Sequence, residues 1–352
     1  MSSDIPASPY ADLPAAAFWR SAVVEGDATA AAALHRPRFA LTSDTPILTA
    51  GSCFAQHIHR HLTALGWAVV NAEPGPDMLP PRVAQRYGYG VYSARYGNVY
   101  TVRQWVELIE EAMAPTSPAP IIWQHAGRYY DALRPGVEPE GLDSAAEVAQ
   151  SRAAHLSALR TALAEAACVV FTLGLTESWV DTATGRTLPT APGTLAGDMA
   201  RNPAHFVNLG YEDVLADLNR MRQLVRAINP DMTLLLTVSP VPLTATATGG
   251  HVVQASTLSK AILRAACDAM QRAHADVDYF PSYEIITTPA LGGPFFARNL
   301  RSPSDAGVAR VMQAFLHSYG AGQAVAPVPR DTDTGSDWDA VCEEMLLDAF
   351  AR

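Results

Sequence analysis

The chain has 352 residues, of which 49% are hydrophobic and 17% are charged, and its formal net charge is −10. This composition is typical of a globular protein with one large domain or two smaller ones. The acidic balance and the lack of a basic stripe argue against a nucleic-acid partner, and no apolar run is long enough to span a bilayer.

Residues 1–40 read as an N-terminal arm that is Ala-rich in its second half, with one or two short helices. The arm opens on a polar, Pro-rich stretch, so we expect no signal peptide. From residue 41 onward, apolar runs typical of strands alternate with amphipathic helical runs. The predicted strands are 46–50, 67–71, 167–173, 232–238 and 277–280. The predicted helices are 54–65, 101–114, 145–166, 212–228, 255–275 and 308–318.

This alternation predicts an α/β fold, a three-layer α/β/α doubly wound and mostly parallel sheet of the SGNH or flavodoxin type. We expect one domain over residues 41–320, with long loops at the carboxyl edge of the sheet. Residues 87–100, YGYGVYSARYGNVY, are an aromatic-glycine segment that suits an irregular loop or a short hairpin. Residues 321–352 read as a linker followed by a short helix at 338–350.

The most informative stretch is residues 47–65, ILTAGSCFAQHIHRHLTAL, where a strand runs through Gly51-Ser52-Cys53 into a helix. A side chain at such a junction lies at the carboxyl end of the sheet, where open α/β sheets bind ligands. It also lies at a helix N-terminus, which favours an anion and therefore a thiolate. The alternative interpretation is a tight turn with a small buried cysteine.

These five residues, Gly51 to Ala55, resemble the motif of the GSCFA family, which is distantly similar to the SGNH (GDSL-type) hydrolases. The resemblance covers about residues 35–318. It implies that Gly51, Ser52 and Cys53 match the Gly-Asp-Ser of that superfamily, so that Cys53 takes the place of the nucleophilic serine. The choice between Ser52 and Cys53 as the reacting residue stays open.

The resemblance also shows where the chain departs from the superfamily. The Gly-x-Asn-Asp block matches Gly174-Leu175-Thr176-Glu177, which has Thr and Glu in place of Asn and Asp. The Asp-x-x-His block matches Asn299-Leu300-Arg301-Ser302, so both partners of the usual catalytic triad are missing.

Several residues are candidates to complete the site. The predicted base is His251, in a Gly-rich loop after a strand, with Glu177 as a rival polar partner; His57 and His125 are weaker candidates. Oxyanion donors are expected from Asn98, Gly97 or Thr176, and Arg95 is a candidate for binding an anionic substrate. Each of these residues also has a structural interpretation as a turn, surface or ion-pairing residue.

The leading functional hypothesis is an acyl-transfer enzyme, an esterase, thioesterase or O-acyltransferase. Its substrate would be a small molecule, an acyl carrier or a carbohydrate. The alternative is a non-catalytic relative that binds glycans or acyl groups, which the missing Asp and His favour. Four cysteines without paired or metal-ligand spacing predict a reducing, cytoplasmic setting and no metal or other cofactor. No nucleic-acid or membrane partner is expected, and the oligomeric state stays open.

Overall fold

The computed structural model describes residues 8–26, 34–116, 118–320 and 343–351. Within these residues, four parallel strands form a central sheet in the order β1-β4-β8-β9. They are β1 (Ile47–Gly51), β4 (Cys168–Leu173), β8 (Thr233–Val238) and β9 (Val277–Tyr279). The predicted parallel α/β sheet is confirmed.

Helices cover both faces of this sheet because its strands are buried on both sides. The helices are α1 (Phe54–Ala64), α2 (Pro81–Arg86), α3 (Val102–Met113), α4 (Ala145–Glu165), α5 (Tyr211–Ile228), α6 (Val252–Ala273), α7 (Ser282–Thr287) and α8 (Asp305–Ser318). Helices α3 to α6 pack on the face that carries Leu48 and Phe171. Helices α1, α7 and α8 pack on the face that carries Ile47 and Val170. These three layers are the predicted α/β/α arrangement.

Two insertions form small antiparallel sheets where the sequence predicted only loops. One is the hairpin of β2 (Ile122–His125) and β3 (Arg128–Asp131). The other is a three-stranded sheet of β5 (Glu177–Asp181), β6 (Thr187–Leu188) and β7 (Ala204–Asn208), which leaves the carboxyl end of β4. Their strands are short and polar, so they lack the long apolar runs that identify buried strands.

The predicted strand at 67–71 is wrong as a strand. This segment runs beside β1 but forms only one parallel bridge, Ile47 to Val69. The Ile47 N–H donates to Ala68 O and the Ile47 carbonyl accepts from Val70 N. The chain then turns away, and Ala72 N donates to Ser93 O in the aromatic-glycine segment, which is an irregular loop.

The two ends of the chain are only partly described. Within residues 8–26, the arm holds a 3-10 turn at Ala15–Ala17 and a π-helical turn at Arg20–Val24, where one or two short helices were expected. The predicted linker at 321–337 and the first five residues of the predicted helix at 338–350 lie outside the described residues, and a 3-10 helix spans Glu343–Phe350. Within the part of the chain that is described, no helix is both long and apolar enough to cross a bilayer.

Candidate active site

The junction between β1 and α1 is tightly built around Gly51. Gly51 has a φ of +131°, and a Cβ added to it would lie 2.3 Å from the carbonyl oxygen of Thr172 on the neighbouring strand. The next residue, Ser52, donates its N–H to the same oxygen at 3.0 Å. Only glycine fits this backbone approach, so the motif's first residue is required by packing as well as by conformation.

Cys53 is the N-cap residue of α1, and Ala55 N donates to Ser52 O to begin the helix. The first N–H groups of a helix point out of its N-terminus, which here lies at the carboxyl end of β1. The Cys53 side chain is 6% exposed and belongs to the buried apolar cluster that also contains Tyr100, Leu175 and Val241. The structure therefore places Cys53 at a helix N-terminus, as predicted, but in apolar surroundings.

The Ser52 side chain lies against the turn that follows β4. A Cβ added to Gly174 would come within 2.8 Å of Ser52 Cβ and 2.9 Å of Tyr100 O. Ser52 is 2% exposed, and its hydroxyl makes no hydrogen bond within the described residues. Lys260 reaches the same turn from α6 and donates to Gly174 O at 2.6 Å.

Asn98 is part of a buried hydrogen-bond cluster beside the Ser52–Cys53 peptide. Its Oδ1 accepts from Gln56 Nε2 at 3.0 Å and from the Tyr92 hydroxyl at 2.5 Å. The Tyr92 oxygen is also 3.2 Å from Ser52 O, and it accepts from Gln56 Nε2 at 3.2 Å. The cluster therefore fixes the orientation of the Asn98 amide next to the candidate nucleophile.

Gly97 and Asn98 reach β1 through the backbone. Gly97 has a φ of +71°, which turns the chain so that Val99 N donates to Gly51 O at 2.9 Å. Gln104 Nε2 donates to Asn98 O at 3.1 Å and holds the far side of this turn. The structure thus brings two of the predicted oxyanion residues to the β1–α1 junction.

Thr176 and Glu177 have structural partners. The buried Thr176 hydroxyl donates to Asn208 Oδ1 at 2.7 Å, and its N–H donates to Ser259 Oγ at 3.0 Å. The Glu177 carboxylate accepts from the Thr246 hydroxyl at 2.6 Å and from Ala247 N at 3.1 Å. Glu177 therefore anchors the loop between β8 and α6.

His251 ends that loop as the N-cap of α6, which begins at Val252 and earlier than predicted. The imidazole is exposed, and its Nδ1 accepts from Val253 N at 3.2 Å. A neutral imidazole has one basic nitrogen, so this bond assigns the proton to Nε2. His251 has to release its cap before it can accept a proton, and its role as a base stays a prediction.

Arg95 is buried within the protein and its guanidinium is held by protein groups. It donates to Glu138 Oε1 at 2.8 Å and to the carbonyls of Tyr87 and Val137, and it lies over the Tyr89 ring. These contacts hold the aromatic-glycine segment against the rest of the fold. They support the structural interpretation of Arg95 over the substrate-binding one.

The Asn299–Ser302 segment forms a turn that closes on itself. Asn299 Oδ1 accepts from Arg301 N at 3.0 Å and from Ser302 N at 2.9 Å. Leu300 has a φ of +53° and is 76% exposed. The turn leads into α8 and supplies neither carboxylate nor imidazole.

Sequence reasoning missed Gln56 and Tyr92, which orient Asn98. The spacing of Gln56, three residues after Cys53 on α1, is the one available signal, because such residues are neighbours on a helix surface. No sequence pattern indicated a role for Tyr92, because its partner Asn98 lies six residues away in an irregular loop.

Together, these features define a three-layer α/β/α protein with a candidate nucleophile at the junction of its first strand and first helix. A family model described as the GSCFA family matches residues 46–315, which is most of the chain. The chain belongs to the GSCFA family. No curated protein matches its sequence.

Three solved structures show a more distant likeness. One is a Streptococcus pneumonia protein provisionally described as a platelet activating factor, with 14% identity and a TM-score of 0.26; the match covers 44% of this chain and 60% of that one. Another is a carbohydrate esterase family 3 protein from Talaromyces cellulolyticus, with 11% identity, a TM-score of 0.34, and coverage of 77% and 94%. The third is an acetyl esterase variant with an acetate ion, with 10% identity, a TM-score of 0.32, and coverage of 76% and 92%.

Proposed function

We propose that this protein is an acyl-transfer enzyme that acts on an ester or thioester and uses Cys53 as its nucleophile. The observation that carries the proposal is the position of Cys53 as N-cap of α1 directly after a parallel strand. A helix N-terminus stabilises a thiolate, and a thiolate is nucleophilic near neutral pH. A cysteine therefore depends less on a neighbouring base than a serine would.

In the reaction, the Cys53 sulfur attacks the carbonyl carbon of the substrate and a C–S bond forms. The carbonyl electron pair moves to oxygen, and it returns as the bond to the alcohol or thiol leaving group breaks. The leaving group takes up a proton, and the acyl group stays on Cys53 as a thioester. Water or a second alcohol then attacks this thioester and gives up a proton. The C–S bond breaks, which releases the acid or the new ester and returns Cys53 as the thiolate.

The oxyanion in this scheme needs donors that are fixed before the reaction. The first backbone N–H groups at the start of α1, those of Cys53 and Phe54, are the proposed donors, because the N–H groups of Ala55 and Gln56 already donate to Ser52 O and Cys53 O. The Asn98 amide is the second proposed donor, because Gln56 and Tyr92 hold its oxygen and so fix the orientation of the amide beside the Ser52–Cys53 peptide. Thr176 is the weaker candidate, since its hydroxyl donates to Asn208.

We keep His251 as the proposed base, with Glu177 as the residue that fixes its loop. Release of its cap bond would cost about 1 kcal/mol, which is small beside a catalytic barrier. The alternative function, a binding protein without catalysis, is favoured by the turn at Asn299–Ser302, which lacks the usual Asp and His.

Thiol reactivity separates the two functions without knowledge of the substrate. Cys168 and Cys267 are matched internal controls, because burial raises the pKa of Cys168 to about 12 and raises that of Cys267 further. We expect iodoacetamide at neutral pH to modify Cys53 before Cys168 and Cys267, as mapped by peptide mass. A Cys53 as slow as the two control thiols would contradict the enzyme proposal.

Acyl-ester and acyl-thioester substrates then test the chemistry itself. We expect the wild type to carry an acyl group on the Cys53 peptide after a short reaction, and Cys53→Ala to lose turnover by at least about a thousandfold. Undiminished turnover in Cys53→Ala would show that another residue reacts, and Ser52→Ala is the variant to examine next.

A further inference from the structure

Lys260 is the only lysine in the chain, and it is buried on α6, where it is 3% exposed. Side chains on a helix tilt towards its N-terminus, and α6 begins at the carboxyl edge of the sheet, after β8. The Lys260 Nζ donates to Gly174 O, in the turn that follows β4, at 2.6 Å. A hydrogen bond this short is typical of an ionised donor, so Lys260 places a positive charge at this edge.

The turn that Lys260 holds is in close contact with the β1–α1 junction. A Cβ added to Gly174 would lie 2.8 Å from Ser52 Cβ, so the two residues are tightly packed. The Ser52 N–H also donates to Thr172 O on β4 at 3.0 Å. Because Cys53 follows Ser52 directly, the lysine charge is linked to the candidate nucleophile through two neighbouring backbones, those of Gly174 and Ser52.

A thiolate at Cys53 needs a stabilising charge. Cys53 is 6% exposed and belongs to a buried apolar cluster, and burial of this kind favours the neutral thiol. The same effect raises the pKa of the buried Cys168 to about 12. A neighbouring cation favours the thiolate instead. His251 is exposed and caps α6, so a buried cation for this purpose has to come from another residue.

We infer that Lys260 is a positioning residue of this site, and that its positive charge, held at the Gly174 turn, favours the thiolate form of Cys53. The inference rests on the proposed role of Cys53 as nucleophile and names the cation that supports it. At an effective dielectric constant of about 20, a unit charge about 10 Å away shifts a pKa by about one unit. For a thiol that titrates above neutral pH, this shift gives about tenfold more thiolate at neutral pH.

The pH midpoint of Cys53 alkylation measures this effect on the full-length chain, with iodoacetamide and mapping by peptide mass. We expect Lys260→Gln, which removes the charge and keeps a hydrogen-bond donor, to raise the midpoint by about one pH unit. Lys260→Arg keeps the charge and should keep the midpoint. Midpoints are compared rather than rates, because a more basic thiolate is also more nucleophilic. An unchanged midpoint in a folded Lys260→Gln protein, or an equal rise in a folded Lys260→Arg protein, overturns the proposal.

Ser259→Ala is the matched control, because Ser259 holds the same turn without a charge. Its Oγ accepts from Thr176 N at 3.0 Å, and the residue is 1% exposed beside Lys260 on α6. We expect Ser259→Ala to leave the Cys53 midpoint unchanged. An equal rise in Ser259→Ala and Lys260→Gln would mean that the geometry of the turn controls Cys53, and it would overturn the proposal. All of these variants retain the other titratable side chains around the junction, which are those of His57, Tyr100, Glu177 and His251.

A second measurement does not depend on whether a Lys260 variant folds. Because the chain has one lysine, protein made with lysine that is isotope-labelled at Nζ gives a single side-chain signal in NMR. Electrostatic coupling between two groups is mutual, so this signal should move at the pH at which Cys53 ionises. The movement should be absent in Cys53→Ala. A signal that does not move at that pH, or that moves equally in Cys53→Ala, overturns the proposal.

These outcomes are separable from a failure of the acyl-transfer proposal. A wild-type Cys53 that is alkylated as slowly as Cys168 and Cys267 would contradict the enzyme proposal, whatever the Lys260 variants show. A reactive Cys53 whose midpoint is the same in Lys260→Gln would leave the enzyme proposal intact and overturn only the role of Lys260.

Discussion

Two turns that contain a residue with positive φ lead into the neighbouring helices α1 and α8. The two turns are stabilised in different ways. Gly51 precedes α1 with a φ of +131° and has no room for a Cβ. Leu300 precedes α8 with a φ of +53° and extends its side chain into solvent. The first turn is fixed by backbone packed against it, and the second by its own hydrogen bonds. The Gly51 turn is thus held by close packing, whereas the Asn299–Ser302 turn is self-contained and carries neither Asp nor His.

The largest expected effect is at Gly51. Gly51→Ala adds a Cβ against Thr172 backbone, so β1 and β4 have to separate, and we expect a loss of more than about 4 kcal/mol in the free energy of unfolding. Gly127→Ala is the matched control, since Gly127 has a φ of +79° but no heavy atom within 4 Å of the added Cβ. Backbone strain alone predicts a loss of about 1 kcal/mol in the free energy of unfolding of Gly127→Ala. Urea denaturation of both proteins measures the difference, and equal losses would mean that strain, rather than the contact, is decisive.

The next largest effect is a pH dependence of stability that comes from His59 on α1. His59 on α1 hydrogen-bonds Thr49 Oγ1 on β1 at 2.8 Å, and burial lowers the His59 pKa from 6.5 to about 4. The unfolded chain binds this proton below pH 6.5 and the folded chain only near pH 4. Stability should therefore fall by about 3 kcal/mol as the pH drops from 6.5 to 4.

The variant His59→Gln tests this assignment. It should flatten the decline between pH 6.5 and 4 in urea titrations, although it also weakens the neutral-pH structure. His155 contributes a similar decline, because burial and nearby arginines lower its pKa to about 4 as well. An unchanged slope in His59→Gln would place the pH dependence elsewhere. The Asn299–Ser302 turn has no acidic or imidazole group and should add nothing in this range.

A smaller effect on stability is expected at His251. This residue is the proposed base, and it would take the place of the histidine that the Asn299–Ser302 turn lacks. His251→Asn retains an N-cap side chain for α6, whereas His251→Ala does not. We expect Ala to lose about 1 kcal/mol of stability and Asn to lose little. If His251 is the base, both variants should slow substrate turnover at least about tenfold. Full turnover in a stable His251→Asn protein would leave His251 with capping as its only role.

The smallest effect is at Leu300. Asn tolerates a left-handed backbone better than Leu does, and the exposed Leu300 side chain has little buried area to lose. We expect Leu300→Asn to stabilise the protein by about 0.5 to 1 kcal/mol, measured by urea denaturation. Leu258→Asn, at an exposed position on α6, should instead destabilise it through lower helix propensity. A loss at Leu300 would mean that its side chain makes a contact that matters.

The sequence predicted the central sheet and its helices because long periodic patterns carry most of that information. The sequence also predicted that Cys53 lies at a helix N-terminus. A strand followed at once by an amphipathic helix leaves few possible positions for the residue between them. The sequence did not locate β6 and β7, whose strands are too short and polar to show a period. It also could not show that Gln56 and Tyr92 hold Asn98, because that contact depends on how an irregular loop folds back onto α1.

The pairing of β1 with β4 has a consequence for folding kinetics. Ile47 pairs with Cys168, and everything from α1 to α4 lies between them in the chain. Pairings between residues so distant in sequence form slowly, because a long loop has to close before they contribute any stability. We therefore expect the β1–α1 junction to be among the late structures in refolding. Pulsed alkylation of Cys168, the fully buried partner of Ile47, should show this thiol open to reagent after helical circular dichroism has already recovered.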